Sequence, residues 1–153
     1  MWIKHQPWVD QFTKKADFRP DIEWNIWSVR QTPFNDLISG EEIVYVSGGG
    51  PRAGRLMYTA RADCLVAEEY LSHAHAWDLM KSALPKSVLR ESEITRKSFL
   101  TSPYTLKAPA SGWLLAWSGT PVRWLDLPRP TGMKFRPNGW SWLDDDHPSL
   151  TGK

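Results

Sequence analysis

The residues best able to hold a ligand in this chain are its tryptophans: Trp2, Trp8, Trp24, Trp27, Trp77, Trp113, Trp117, Trp124, Trp140 and Trp142. Indole is a large, rigid, amphipathic surface suited to stacking and to cation–π contact. It is also good core material, and ten exceed what one binding pocket needs, so most must be structural. Trp24 and Trp27 stand three apart beside Ser28 and Arg30. In a strand that spacing sends them to opposite faces, so one can pack inward while the other lines a pocket. Trp113 and Trp117, four apart, and Trp140 and Trp142, two apart, share a face within each pair and read as core or sheet cover.

No catalytic set stands out. The run Ser47-Gly48-Gly49-Gly50-Pro51-Arg52-Ala53-Gly54-Arg55 lacks the Gly-Lys-Ser/Thr of a nucleotide loop and leads into a strand pattern, so it reads as a hairpin loop whose Arg52 and Arg55 are free to meet phosphate. His73 and His75 are two apart and diverge on a helix, which excludes a zinc pair. Asp144-Asp145-Asp146-His147 has no second ligand cluster and reads as a polar tail. Cys64 is the sole cysteine, between Asp63 and Leu65 with no histidine nearby in sequence, and reads as buried rather than nucleophilic. Glu23, Asp36 and His5 are the few residues suggestive of a hydrolase, with no motif around them. The expectation is therefore no catalytic residue, no metal and no cofactor.

Charge adds a second theme. Net charge is only +2, but its distribution is uneven. Arg52 to Arg61 holds three arginines and no acid; Lys81 to Lys107 holds six basic residues against Glu91 and Glu93; Arg123 to Arg136 holds four against Asp126. Basic segments recurring between aromatics suit a phosphate backbone, and equally suit a solvated mixed surface.

These residues need a scaffold. A length of 153 residues with 41% hydrophobic and 24% charged composition supports one globular domain, read as 1–143 with a polar tail over 144–153. No apolar run approaches the ~18–20 residues that span a bilayer, and the opening residues lack a secretory apolar region; the default location is the cytoplasm. Strands are predicted at 1–5, 22–30, 42–47, 55–64, 113–117, 122–127 and 139–143. Helices are predicted at 68–83, ended by Pro85, and at 87–99. The second and third of the central strands, 42–47 and 55–64, form a hairpin. The sum is an α+β fold with a curled, mostly antiparallel sheet and one or two helices.

The order of pieces from Trp2 to Ala62 resembles the front half of an EVE- or YTH-type domain of the PUA-like superfamily. Trp2-Ile3-Lys4-His5-Gln6-Pro7 is similar to the opening strand of such domains. Trp24-Asn25-Ile26-Trp27-Ser28-Val29-Arg30 resembles the pocket segment. Gly40-Glu41-Glu42-Ile43-Val44-Tyr45-Val46-Ser47 resembles the turn and apolar strand that follow, with Glu41 where Asp is usual, and Gly54-Arg55-Leu56-Met57-Tyr58-Thr59-Ala60 the returning strand. Phe135-Arg136-Pro137-Asn138-Gly139-Trp140 resembles PUA-like tails. Arg30-Gln31 stands where EVE domains carry Arg-Asn, which changes what reads the base edge.

The resemblance implies a PUA-like β-barrel and a non-catalytic module that captures a modified or flipped-out base of DNA or RNA. The base would stack on Trp27, with Trp24, Trp77 or Trp117 closing the pocket and Ser28 and Ser47 reading the edge. Arg30, Arg52 and Arg55 would take phosphates. The competing expectation is a protein-interaction or accessory module whose tryptophans face a partner.

Overall fold

Residues 1–6, 21–47, 53–131 and 139–144 are described by the computed structural model. Their elements run β1 (Trp2–Gln6), β2 (Asp21–Trp27), β3 (Glu42–Ser47), β4 (Leu56–Tyr70), α1 (His73–Ala83), α2 (Lys86–Glu91), α3 (Arg96–Thr101), α4 (Pro103–Lys107), β5 (Gly112–Leu127) and β6 (Trp140–Trp142). Hydrogen bonding orders the strands β2-β5-β4-β3-β1-β6. The β2·β5, β3·β4 and β1·β6 pairs are antiparallel and β1·β3 is parallel, so the α+β, mostly antiparallel expectation holds. No helix among the described residues is long and apolar enough to cross a membrane.

The chain forms two compact units, Met1–Arg19 with Glu41–Arg61 and Thr120–Lys153, and Pro20–Gly40 with Ala62–Gly119. No linker separates them; β4 and β5 each give one stretch to either unit. The first unit contains the predicted hairpin. Its register runs from Glu42↔Arg61 to Val46↔Leu56, with an irregularity between Tyr45 and Val46. Gly54 closes it at φ +82, a conformation that favours glycine, and donates its N–H to the Ser47 carbonyl at 2.8 Å. Ile3, Val44, Val46, Leu56 and Leu143 form the core of this unit.

The second unit is built on β2 and the stretches of β4 and β5 that belong to it. Ile22 and Ile26 of β2, Val66 and Tyr70 of β4, and Leu114 and Ala116 of β5 pack with Trp77, Met80 and Phe99 of the helices in one core. Each fully buried apolar side chain of that size contributes about 1.5–3 kcal/mol.

The helices depart from the sequence expectation. Residues 68–70 continue β4 instead of opening the helix, because Val66 and Tyr70 bury into the core while Glu68 and Glu69 stay exposed. The helix starts after Ser72, whose hydroxyl accepts the His75 N–H at 3.0 Å, a good N-cap for want of which residues 68–71 cannot begin a helix. The single stretch 87–99 is two helices, interrupted at Glu93 (φ 58), with Thr95 and Ser98 forming a capping box for the second. A further short helix, α4, begins at Pro103. Among the described residues four short helices thus stand where one or two are predicted. The strands predicted at 113–117 and 122–127 are one strand across Pro121, whose fixed φ suits extended backbone and removes only a donor.

Gly112 is a position where size is decisive. A Cβ there would lie 2.2 Å from the Trp27 carbonyl oxygen, a backbone atom that cannot swing away. Gly112→Ala is expected to lower the urea unfolding free energy by about 1–3 kcal/mol, the range for forced overpacking. An unchanged midpoint would show that the two strands separate there at no cost.

Candidate functional site

In the second unit β2 alternates two kinds of residue. Ile22, Trp24 and Ile26 face the helices; Glu23, Asn25 and Trp27 face the other way. Directly opposed residues of an antiparallel pair share a face. The β2·β5 register therefore sets Glu23 beside Trp117, Asn25 beside Leu115 and Trp27 beside Trp113. The result is a strip of three indoles with a carboxyl and a carboxamide between them. Glu23 is 5% exposed, Asn25 8% and Trp27 8%. A buried polar side chain costs free energy unless it is hydrogen-bonded, and both Glu23 and Asn25 have partners in the fold.

Trp24 lies on the opposite face, its ring 5.6 Å from Phe99 and 6.5 Å from Tyr104. Its indole N–H is buried with no acceptor among the described residues. Trp77 joins the same group through Phe99, at 5.7 Å. Of the three rings expected to accompany Trp27, Trp117 shares its face, whereas Trp24 and Trp77 pack together at Phe99 on the opposite one. Trp117 is fully buried and stands opposite Glu23, four residues along the strand from Trp113.

At one end of the strip the surface opens. Ser28, Val29 and Arg30 are exposed, and the Arg30 guanidinium lies 4.8 Å from the Trp113 ring centroid. Phe34 packs edge-on to the same ring at 5.6 Å. Arginine over indole is a cation–π arrangement that leaves the guanidinium edges for hydrogen bonds. The two histidines of this unit serve the fold: His75 Nδ1 accepts the Leu71 N–H, and His73 Nε2 lies 2.9 Å from the Pro109 carbonyl, which the Tyr70 hydroxyl also meets. Burial, and secondarily Tyr104, raise the Tyr70 phenol above its ordinary pKa.

The remaining predicted residues belong to the first unit. Ser47 is fully buried and its backbone closes the hairpin with Arg55 and Gly54. Arg55 spends its fork on Asp126, donating from Nε to Oδ1 at 2.9 Å and from Nη2 to the backbone carbonyl at 2.6 Å. Arg123 is paired with Glu42 at 3.0 Å. Such half-exposed pairs are worth at most about 1 kcal/mol. Arg52, the loop glycines 48–50, Trp8 and the tail beyond Asp144 lie outside the described residues.

Two features are not among the residues expected to bind. One is the polar pair of Asn25 with Glu23, the latter suggestive in sequence only of a hydrolase, whose period-two spacing with Trp27 is the signal for a shared face. The other is a row across the first unit's strands. Lys4 pairs in register with Tyr45 on one side and Trp140 on the other, and Tyr45 pairs with Tyr58. Lys4 is 5% exposed, its Nζ lies 5.1 Å from the Trp140 ring, and the tyrosines stack at 4.9 Å. Trp2 meets Trp140 and Trp142 edge-on. No local pattern marks a lysine as buried. Among the described residues no group of three or more His, Cys, Asp or Glu is arranged to hold a metal ion.

Comparison with solved structures now bears on this geometry. The crystal structure of ASCH from Zymomonas mobilis superposes with a TM-score of 0.56 at 12% identity, covering 99% of this chain and 93% of that one. Two single-substitution mutants of the same protein give 0.55 and 0.53, also at 12% identity and 99% coverage of this chain, with 93% and 91% of theirs covered. The chain has an ASCH-like fold. The likeness is one of fold: it bears out the curled, PUA-like β-sheet expectation and carries nothing specific to EVE or YTH domains. No family model matches the chain, and no curated protein does.

His5 supplies a pH test of the first unit. It is half-buried, and desolvation, then the nearby Lys4 and Arg129 charges, hold its pKa below 6.5. The folded form thus binds its proton less readily than the unfolded chain. Its contribution to stability is complete above pH 6.5, falls as pH drops below that value, and levels off below the folded pKa. His5→Gln should flatten the fall in urea midpoint between pH 7.5 and pH 5; an equally steep fall would place the pH dependence on other groups.

Proposed function

We propose that the chain is a non-catalytic nucleic-acid-binding module that takes a modified or flipped-out base against the Trp27 strip, in the manner of EVE and YTH domains. The observation that carries this is the co-facial set Glu23, Asn25 and Trp27 on β2, opposite Trp113, Leu115 and Trp117 on β5. A base needs a flat apolar neighbour and polar groups in the plane of its edge. Stacking on an aromatic ring is worth roughly 1–3 kcal/mol per base. Extruding a base from a duplex costs a few kcal/mol, so stacking alone about breaks even and the edge contacts decide. A carboxylate accepts from exocyclic amines, and a carboxamide both donates and accepts; a good bidentate contact discriminates by about 1–3 kcal/mol. Trp27, Glu23 and Asn25 are nearly covered and the two polar groups have partners in the fold, so capture requires local opening at the Ser28–Arg30 end and exchange of those partners for the base edge, with Arg30 on Trp113 then taking a flanking phosphate.

RNA is the favoured polymer, because the PUA-like architecture is consistent with RNA binding. A tryptophan-rich partner surface is less well supported: among the described residues Trp142, at 53%, is the one exposed tryptophan.

Labelled single-stranded RNA and DNA, each with unmodified and base-modified versions, should bind in low salt with fluorescence quenching. Trp27→Phe should weaken binding about 5- to 10-fold, the lower part of one stacking contribution, while the circular dichroism spectrum is retained. Asn25→Ala should narrow the difference between modified and unmodified strands more than it weakens either. Absence of binding to every strand in low salt would sink the reading.

A further inference from the structure

We propose that the helices of the second unit carry the nucleic-acid backbone: a single strand runs over Lys86, Arg90, Arg96, Lys97 and Lys107, with Tyr104 as the stacking ring beside them. This rests on the nucleic-acid reading above and assigns the phosphates to a surface other than the glycine hairpin.

The disposition of the cations is the first reason. All five basic side chains are exposed, and none makes an ion pair among the described residues. The first unit's Arg55 and Arg123 are held by Asp126 and Glu42 instead. Glu91 at the end of α2 and Glu93 between α2 and α3 do not pair with these cations, so five positive charges against two negative ones keep a net positive field, and a polyanion is what that field attracts.

Helix energetics supply the second. Lys86 and Arg90 sit four apart on α2, a like-charge pair on one face, which destabilises a helix. Arg96 and Lys97 open α3 and Lys86 opens α2, where the helix dipole disfavours positive charge. None of α1 to α4 has an acidic residue in its first turn. Arg90 and Lys107 close α2 and α4, where the dipole favours a cation; Lys86, Arg96 and Lys97 gain nothing of the kind for their helices, and attraction of an outside anion accounts for them.

The third reason is Tyr104. Its ring is 47% exposed on α4, three residues before Lys107. Its hydroxyl accepts the Ile26 N–H at 3.3 Å, and its ring lies 6.5 Å from Trp24. The ring is therefore tethered to β2, the strand that carries Glu23, Asn25 and Trp27, while half of it faces solvent. A fixed, half-exposed ring about one turn from Lys107, on the helix that packs with α3, suits stacked bases of a single strand better than a lipid surface or a paired duplex.

The test compares wild type with the quadruple variant Lys86→Gln, Arg90→Gln, Arg96→Gln, Lys97→Gln. Binding of an unmodified fluorescein-labelled 12-nucleotide RNA, and of its DNA counterpart, is measured from 25 to 200 mM salt. Loss of four contacts should reduce the slope of log K against log salt by about 3, at roughly 0.7 per phosphate on single strands. It should also weaken low-salt binding at least tenfold, for modified and unmodified strands alike. Tyr104→Leu should weaken binding with the slope unchanged. A quadruple variant that folds with the wild-type urea midpoint and keeps wild-type affinity and slope overturns the inference while leaving the base-capture reading standing. Should it lose its urea midpoint, the paired substitutions Lys86→Gln with Arg90→Gln, and Arg96→Gln with Lys97→Gln, are read in the same way with half the slope change. Wild-type protein that binds no strand but binds anionic phospholipid vesicles overturns both.

Discussion

The register between β2 and β5 is the constraint on which the second unit depends. Side chains alternate across a strand, so a slip of one residue would exchange Ile22, Trp24 and Ile26 with Glu23, Asn25 and Trp27. That exchange would put a carboxyl and a carboxamide into the helix core and two isoleucines onto the polar strip. Gly112 helps hold the register, because its missing Cβ lets β5 approach the Trp27 carbonyl. The division into a structural face and a polar-aromatic face is therefore a consequence of one pairing, and both the core and the candidate base site inherit it.

The tryptophans divide along the same line. Trp24 and Trp77 meet at Phe99 and belong to the helix core. Trp27, Trp113 and Trp117 line the other face of the second unit. In the first unit Trp2, Trp140 and Trp142 form an edge-to-face group around a buried lysine. Each group has a separate physical role, which is why ten indoles in 153 residues need not mean one large aromatic cage.

Charge is partitioned as unevenly as the rings. Arg55 and Arg123 of the first unit form ion pairs within it, whereas the cations on α2 to α4 have no such partners among the described residues. The likeness to ASCH accounts for the scaffold at 12% identity, and says nothing of which side chains face a ligand. At that distance function must be argued from the site itself.

The sequence by itself determined the local patterns: the strand at 42–47, its hairpin partner, the opposed faces of Trp24 and Trp27, and the basic character of 81–107. These follow from spacing and composition, which each short segment carries within itself. The hairpin's Arg55 looked free because its partner, Asp126, lies 71 residues away. Nothing near Lys4 in sequence reveals Tyr45 and Trp140 on its flanks. Spacing reads 68–70 as helix and the fold makes them strand, because a short mixed run suits either until Tyr70 finds its buried place. Tertiary structure alone decided which ring neighbours which polar group, because register and ion pairing join residues far apart in the chain. The polar strip is therefore half legible in the alternation of β2 and completed only when β5 is set beside it.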